Sequence, residues 1–296
     1  MSEKFSKIGF ILSIVGAAIG LGNAWKFPYM VGANGGSAFV LVYLFFALIV
    51  GLSIFFAEMA MGKISGSDTV NAFRSLAPPS QKAWGYAGII MITGIFVASF
   101  YTLIIGWVIK YAVLSLGSLP KDINSSAALF ENFTSQNASE QILYFTLAFL
   151  AYFFVLTKGV KSGIEKLNVW MMPSLFIMLL IMLGYSATMD GFVASAKFLL
   201  VPDFSKISIN SLLLALGLAF WTLSLGMAAI ITYSASLSDD TNLSTSTISV
   251  VLINITLAIM MGLVIFTFIF EFDATPAQGP GLVFISLPTL FAKLGF

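Results

Sequence analysis

The chain alternates long apolar runs with short polar stretches, and this pattern predicts membrane helices. Seven apolar segments have lengths near the roughly 20 residues that cross a bilayer: 8–30, 37–61, 86–116, 141–157, 167–188, 209–236 and 247–271. A last apolar piece, 281–296, is too short to span and predicts a re-entrant or surface hairpin. Because the runs are continuous rather than alternating, they indicate helices and not the strands of a membrane barrel.

The first apolar segment contains residues that weaken a helix near its middle. Gly16, Gly20 and Gly22 lie within seven residues, and Asn23 and Pro28 follow. Each glycine weakens a helix interior by roughly 1 kcal/mol relative to alanine. Unwound backbone at membrane depth is tolerated only where it is buried in protein or lines a cavity. We therefore predict a broken helix here, whose freed backbone groups form part of a site.

The sixth segment carries a second interruption, in which Thr222 and Ser224 precede Gly226. Helices interrupted at corresponding places in two halves of a membrane protein are the best sequence indication of a transport site. The N-terminus of a half-helix favours an anionic group, and unwound carbonyls favour a cation. The two interruptions together predict one composite binding site.

Composition narrows the class of protein. The chain has 296 residues, of which 59% are hydrophobic and 9% charged, and its mean hydropathy is +0.99. These values are typical of a polytopic membrane protein. A net charge of +1 gives no support to nucleic-acid binding. Without histidine or cysteine, the chain has no disulfides, no His or Cys zinc site and no Ser-His or Cys-His catalysis, so we do not expect an enzyme.

Basic residues predict the orientation in the cell (inner or plasma) membrane, because cytoplasmic loops are enriched in lysine and arginine. A cytoplasmic N-terminus puts most of them inside, namely Lys4, Lys7, Lys63, Arg74, Lys82, Lys158, Lys161 and Lys166. Fewer would then lie outside or near that face: Lys110, Lys121, Lys197, Lys206 and Lys293. We therefore predict a multi-pass protein with its N-terminus in the cytoplasm.

Several motifs occur in a definite order along the chain. They are GLGNAWKFPY at 20–29, EMAMG at 58–62, the spacing from Gly163 to Pro173, TLSLGMAAIITY at 222–233 and GLVFISLP at 281–288. Together they resemble the neurotransmitter:sodium symporter family, in particular bacterial amino-acid transporters of the leucine-transporter type. The resemblance implies an all-α integral membrane fold, a leucine-transporter-like inverted-repeat bundle whose first and sixth helices are broken.

The resemblance also implies how the chain is divided. Residues 1–188 match the first five-helix repeat, and 189–296 match helices six and seven plus the hairpin of the fourth extracellular loop. Because the family has about twelve helices in two inverted repeats, we expect a chain that is truncated after the seventh helix and inactive in transport alone. A missing C-terminal half or a homo-oligomer is the expected protein partner.

Ion ligands follow from the same resemblance. A first sodium site is implied at the Ala18 carbonyl, Asn23, Thr222 and Asn254, whose neutral oxygens suit a hard monovalent cation. A second site is implied only in part, at the carbonyls of Gly16 and Ile19. Chloride coupling is doubtful, because Ala258 and Leu218 stand where the family's anion ligands would be, although Tyr43 is retained.

The resemblance implies that the substrate is a small zwitterionic amino acid. Side chains and backbone groups of three segments would bind it: Ala18, Leu21, Gly22, Val97, Tyr101, Phe220, Trp221, Thr222, Ser224 and Met227. Monoamine carriers of the family place an aspartate where this chain has Gly20. A substrate that brings its own carboxylate is therefore favoured over an amine. Ala17 and Met227 indicate an apolar side chain of medium or large size.

Two charged residues inside the membrane segments also match family positions. Lys26 corresponds to an outer gate cation, but snorkelling to the interface explains it equally. Glu58 corresponds to a carboxylate that braces the broken helices, and a structural and a proton-linked role both remain open.

The sequence therefore predicts a sodium-coupled symporter that works by alternating access. The alternative is a non-transporting, sodium-dependent amino-acid binding or assembly subunit. A seven-helix receptor or retinal protein is suggested by the helix number alone, and segment 247–271 has no lysine to hold retinal.

Overall fold

The structure is a computed structural model that describes residues 4–18, 20, 22–273 and 281–293, without the side chains of Lys7, Ala18 and Lys206. Within these residues all regular structure is helical. The helices are α1 (Lys7–Ala18), α2 (Gly22–Ala33), α3 (Ser37–Ser65), α4 (Thr69–Leu76), α5 (Lys82–Leu114), α6 (Ile123–Glu131), α7 (Ala138–Thr157), α8 (Val160–Ser186), α9 (Gly191–Leu200), α10 (Ile209–Thr222), α11 (Ala229–Ser234), α12 (Leu243–Glu271) and α13 (Leu282–Lys293).

Helices long and apolar enough to span a membrane confirm most of the predicted segments. Five continuous helices qualify: α3, α5, α7, α8 and α12. The helices α1 and α2 form a sixth span bent by 52°, at the predicted first interruption. The predicted sixth segment is divided into α10 and α11 by residues 223–228, and neither piece is long enough to cross a bilayer alone.

Four shorter helices lie outside the seven predicted spans. The helices α4, α6 and α9 occupy connections in which the apolar pattern predicted no span. The last apolar piece is one helix, α13, in the part that the structure describes. It packs against α6, α12 and the first turn of α2, and so covers the end of the first interruption.

Burial separates the central helices from the peripheral ones. In the most apolar 18-residue stretch of α12, half of the residues are buried. In the corresponding stretches of α7 and α8, only 6% are buried. The core is built around aromatic and sulfur side chains of α1, α2 and α3, among them Phe10, Phe27, Tyr43, Phe55 and Met59, all fully buried. The two interruptions are thus held inside the bundle, and α7 and α8 present apolar faces outward.

A network of polar contacts joins the N-terminus to the connection between α11 and α12. The Lys4 ammonium donates to both carboxylate oxygens of Asp239, at 2.8 Å each. The Phe5 amide donates to the Ser236 carbonyl at 3.0 Å, and Lys63 donates to the carbonyls of Asp239 and Thr241 at 3.0 and 2.7 Å. We call this end of the bundle the Lys4 face.

Replacing Lys4 should make the Asp239 carboxyl harder to deprotonate. The hydrogen bond and charge of Lys4 lower the pKa of Asp239 from its ordinary value of 3.8. A lowered folded-state pKa stabilises the fold above the ordinary pKa, and this contribution is lost as the pH falls through the lowered value. We expect Lys4→Gln to raise the pKa of Asp239 in an NMR titration of labelled aspartate, whereas Lys4→Arg should leave it low. An unchanged pKa in Lys4→Gln would contradict the pairing.

Candidate functional site

The two interrupted helices meet at their breaks. The Ser224 hydroxyl donates to the Ala17 carbonyl at 3.4 Å. Between α10 and α11 the chain is unwound, and Ser224, Gly226 and Ala228 have φ of 55°, 74° and 63°. Positive φ is uncommon for residues other than glycine. The break is therefore specified by its surroundings as well as by Gly226.

A cavity of about 270 Å³ lies between the breaks and α5. It is lined by Ala17, Gly20, Gly22, Gly94, Val97, Ala98, Tyr101, Trp221, Ser224, Met227 and Ala229. Six of the ten residues implied as substrate contacts line it: Gly22, Val97, Tyr101, Trp221, Ser224 and Met227. Of the other four, Phe220 and Thr222 are not among its lining residues, the Ala18 side chain is not described and Leu21 lies outside the described residues.

Gly94, Ala98 and Ala229 line the cavity but were missed by the sequence analysis. Positions 94, 97, 98 and 101 follow the helical spacing that puts residues on one face. Because Val97 and Tyr101 were already implied as substrate contacts, the helical spacing could have predicted that Gly94 and Ala98 also line the cavity. Ala229 had no such signal, because its position depends on the path of the unwound segment.

The cavity is closed on one side by polar and aromatic groups. The Tyr101 hydroxyl faces the backbone N–H of Gly22 and the indole of Trp221. The Lys26 ammonium lies over the Trp221 ring, 3.7 Å from its centroid. Gly22 is a site of close approach, since an added Cβ would lie 2.8 Å from the Trp221 Nε1. Lys26 forms no ion pair among the residues that the structure describes, and its gate role remains a prediction.

The side chains implied as sodium ligands are buried with unused hydrogen-bonding capacity. Asn23 is fully buried, and neither its amide oxygen nor its amide nitrogen has a partner in the described structure. Asn254 is also fully buried and donates to the Thr222 carbonyl at 2.9 Å, which leaves its own oxygen unpaired. An unpaired buried polar group costs about 1–3 kcal/mol. A cation bound by these oxygens would offset that cost.

Thr222 holds this cluster against α3. Its side-chain oxygen lies 3.1 Å from the Tyr43 hydroxyl, and Tyr43 is fully buried. Ala258 and Leu218, which occupy the positions implied for the anion, are buried in the hydrophobic core. An apolar environment disfavours an anion, and the expectation that chloride coupling is doubtful remains a prediction.

Little of the second implied sodium site can be described. Ile19 lies outside the described residues. A Cβ at Gly16 would lie 2.2 Å from the Asn168 side-chain oxygen, so α8 approaches α1 closely there. The implied role of both carbonyls remains a prediction.

Glu58 links α3 to the break between α10 and α11. Its carboxylate accepts a hydrogen bond from the Gly226 amide at 2.8 Å, while its second oxygen is buried without a partner. Glu58 is 9% exposed. The contact is consistent with the bracing role that the resemblance implies for this residue.

Removing the Glu58 carboxylate should loosen the unwound segment. Glu58→Ala leaves the Gly226 amide without its acceptor, and we expect a loss of about 2 kcal/mol in stability. Glu58→Gln should retain most of it, because the amide oxygen still accepts. Thermal unfolding of the purified protein measures both variants. Equal stability of Glu58→Ala and the unchanged chain would contradict the brace.

Comparisons with known proteins agree on one family. Residues 2–141 and 133–296 match the model of the sodium:neurotransmitter symporter family. The chain is 37% identical to YhdH, a sodium-dependent transporter of Bacillus subtilis, over 98% of this chain and 64% of that protein. It is 33% identical to a sodium-dependent transporter of Haemophilus influenzae, over 98% of this chain and 65% of that protein.

More distant and structural relatives extend this agreement. A sodium-dependent serotonin transporter of Drosophila melanogaster is 27% identical over 97% of this chain and 53% of its own length. The crystal structure of MhsT in complex with L-phenylalanine superposes with a TM-score of 0.89 at 36% identity, covering 99% of this chain and 67% of that one. The chain thus spans about two thirds or less of the length of these relatives. The superposition confirms the predicted leucine-transporter type of fold.

Proposed function

The chain belongs to the sodium:neurotransmitter symporter family, and from this premise we propose that it binds Na⁺ together with a small, apolar, zwitterionic amino acid for sodium-coupled symport. The observation that carries the proposal is the pair of buried asparagines, Asn23 and Asn254, of which Asn254 donates to the Thr222 carbonyl. The oxygens of Asn23 and Asn254 have no partner and lie on helices that contact one another at the first break. Neutral oxygens in such a setting suit a hard cation.

The substrate class follows from the groups around the cavity. Among the residues that the structure describes, no acidic side chain lines it, so a positively charged amine alone would find no fixed counter-charge. A substrate carboxylate would instead accept from the Gly22 amide and the Tyr101 hydroxyl. An amine would meet the Ser224 hydroxyl and the Ala17 carbonyl. MhsT, the structural relative, is crystallised with L-phenylalanine, which supports an apolar amino acid.

These residues would also couple the substrate to the two broken helices. Ser224 and Ala17 belong to different interrupted helices and already share a hydrogen bond. A ligand between them would stabilise the arrangement in which the breaks face each other. Movement of α1 away from α11 would open the cavity toward the Lys4 face, which we propose is cytoplasmic. Alternating access around a fixed site needs such a movement.

Sodium-dependent binding tests the proposal directly. Labelled apolar amino acids should bind the purified chain in NaCl and not in choline chloride, and unlabelled amines should not compete. Equal binding in both salts would overturn sodium coupling. Competition by amines but not amino acids would overturn the substrate class.

Uptake into proteoliposomes separates the two candidate activities. Accumulation driven by a sodium gradient would support symport by this chain alone. Sodium-dependent binding without accumulation would support the alternative, a binding or assembly subunit.

A further inference from the structure

Another concave surface lies at the Lys4 face, away from the amino-acid cavity. It has a volume of about 340 Å³ and lies between the end of α3, helix α4 and the first turns of α5. Its lining is almost entirely apolar: Met61, Phe73, Leu76, Ala77, Pro78, Gln81 and Trp84. We call it the α4 groove.

Two close helix contacts build the α4 groove. A Cβ on Gly88 would lie 2.4 Å from the Val70 Cα, and a Cβ on Gly85 would lie 3.0 Å from the Arg74 Nε. Glycine at both positions lets α4 lie directly across the first turns of α5. Asp68 caps α4 by accepting from the Asn71 amide at 3.1 Å. The groove is therefore a built feature of the α3–α5 connection.

Two cations flank the α4 groove without a counter-ion. Arg74 and Lys82 are both exposed, and the Lys82 ammonium lies 3.4 Å from the Arg74 carbonyl. Neither has a carboxylate within ion-pair distance among the residues that the structure describes. The nearby Asp68 carboxylate is held by the amide and side chain of Asn71. The flank thus carries two exposed positive charges that are free to pair with an anionic ligand.

The position of the α4 groove relates it to the bilayer surface. The span α3 ends at Ser65 and the span α5 begins at Lys82, so the groove lies where two spans leave the membrane. Trp84 and Tyr86 are 53% and 75% exposed. Tryptophan and tyrosine are enriched at the level of the lipid headgroups. This position places the apolar groove and its exposed aromatic side chains at the expected level of the lipid headgroups.

We propose that the α4 groove binds an anionic phospholipid. An acyl chain lies along Phe73, Leu76 and Trp84, and the phosphate lies at Arg74 and Lys82. Basic pockets at the headgroup level recognise anionic lipids in this way. The net positive flank favours a lipid with net negative charge over a zwitterionic one. The site is separate from the amino-acid cavity, so it stands independently of the proposed transport function.

Fluorescence quenching tests the proposal in vesicles. The chain is reconstituted in phosphatidylcholine containing equal fractions of brominated phosphatidylglycerol or brominated phosphatidylcholine. The contribution of Trp84 is the difference between the unchanged chain and Trp84→Phe. We expect stronger quenching of Trp84 by the brominated phosphatidylglycerol, and we expect Arg74→Gln/Lys82→Gln to lower the preference by roughly 25-fold, about fivefold for each charge.

The control removes two charges from the same face without touching the groove. Lys158 and Lys166 are exposed at the ends of α7 and α8, and Lys158→Gln/Lys166→Gln should leave the preference unchanged. Equal quenching by both lipids in the unchanged chain would overturn the proposal, whether or not the variants fold. Protection of Trp84 from both lipids would also overturn it, since a protein segment would then cover the groove.

Discussion

Asn23→Ala should shift the sodium dependence of amino-acid binding to roughly 10- to 100-fold higher concentrations, the loss expected when one polar contact to an ion is removed. Asn23 is fully buried beside the first break, and its side-chain amide makes no hydrogen bond in the described structure. Removing the side-chain amide therefore breaks no hydrogen bond of the described structure. The cost should appear in ion binding rather than in folding.

The shape of the sodium titration separates this explanation from a general defect. If Asn23 is an ion ligand, Asn23→Ala should regain full amino-acid binding at a sufficiently high sodium concentration. Asn34→Ala is the matched control, because Asn34 is an asparagine at the end of the same helix whose side chain donates to the Met30 carbonyl at 2.9 Å. It should bind with unchanged sodium dependence. An unchanged sodium titration in Asn23→Ala would remove Asn23 from the proposed ion site.

The first break was predictable because its cause is local. Three glycines, an asparagine and a proline weaken the helix between α1 and α2 whatever surrounds them. The second break was predictable only in part. Gly226 indicated its place, but Ser224 and Ala228 also adopt positive φ. Their residue types do not encode this conformation, which depends on contacts such as that between Glu58 and the Gly226 amide.

The residues of the site likewise differ in whether local sequence or tertiary packing determines where their side chains lie. The side chains of Val97 and Tyr101 line the cavity as implied, because they share one face of a regular helix. Thr222 was implied as both an ion ligand and a substrate contact. The structure turns its side chain toward Tyr43, 3.1 Å away. The direction of the Thr222 side chain depends on how α10 packs on α3. The sequence pattern of α10 alone therefore does not predict it.

The short helices were missed for a different reason. A hydropathy pattern detects segments long enough to span a bilayer, and α4 and α9 have eight and ten residues. Helix α9 is fixed by tertiary contacts instead. The Gly191 amide donates to the Glu271 carboxylate at 2.7 Å, and the Ser195 hydroxyl donates to the Leu263 carbonyl at 2.9 Å. Both partners belong to α12, some 70 to 80 residues later along the chain.

Gly62→Ala should destabilise the protein by about 3 kcal/mol, the upper end of the usual cost of overpacking. A Cβ at this position would lie 2.3 Å from the Ile231 carbonyl oxygen and 2.7 Å from the Ser234 Cβ. Backbone atoms cannot turn away as a flexible side chain can, so α3 and α11 must separate. Because α11 follows the second break directly, the amino-acid cavity should be lost together with stability.

Gly217→Ala provides the comparison that isolates this contact. Gly217 lies within α10, and an added Cβ there meets nothing within 4 Å. Alanine also favours a helix interior over glycine by roughly 1 kcal/mol, so this variant should be as stable as the unchanged chain or more so. Thermal unfolding of both variants measures the difference. If Gly62→Ala proved as stable as Gly217→Ala, the structure would be wrong about the close approach of α3 and α11. The rigid support that this contact gives to the second break would then be wrong as well.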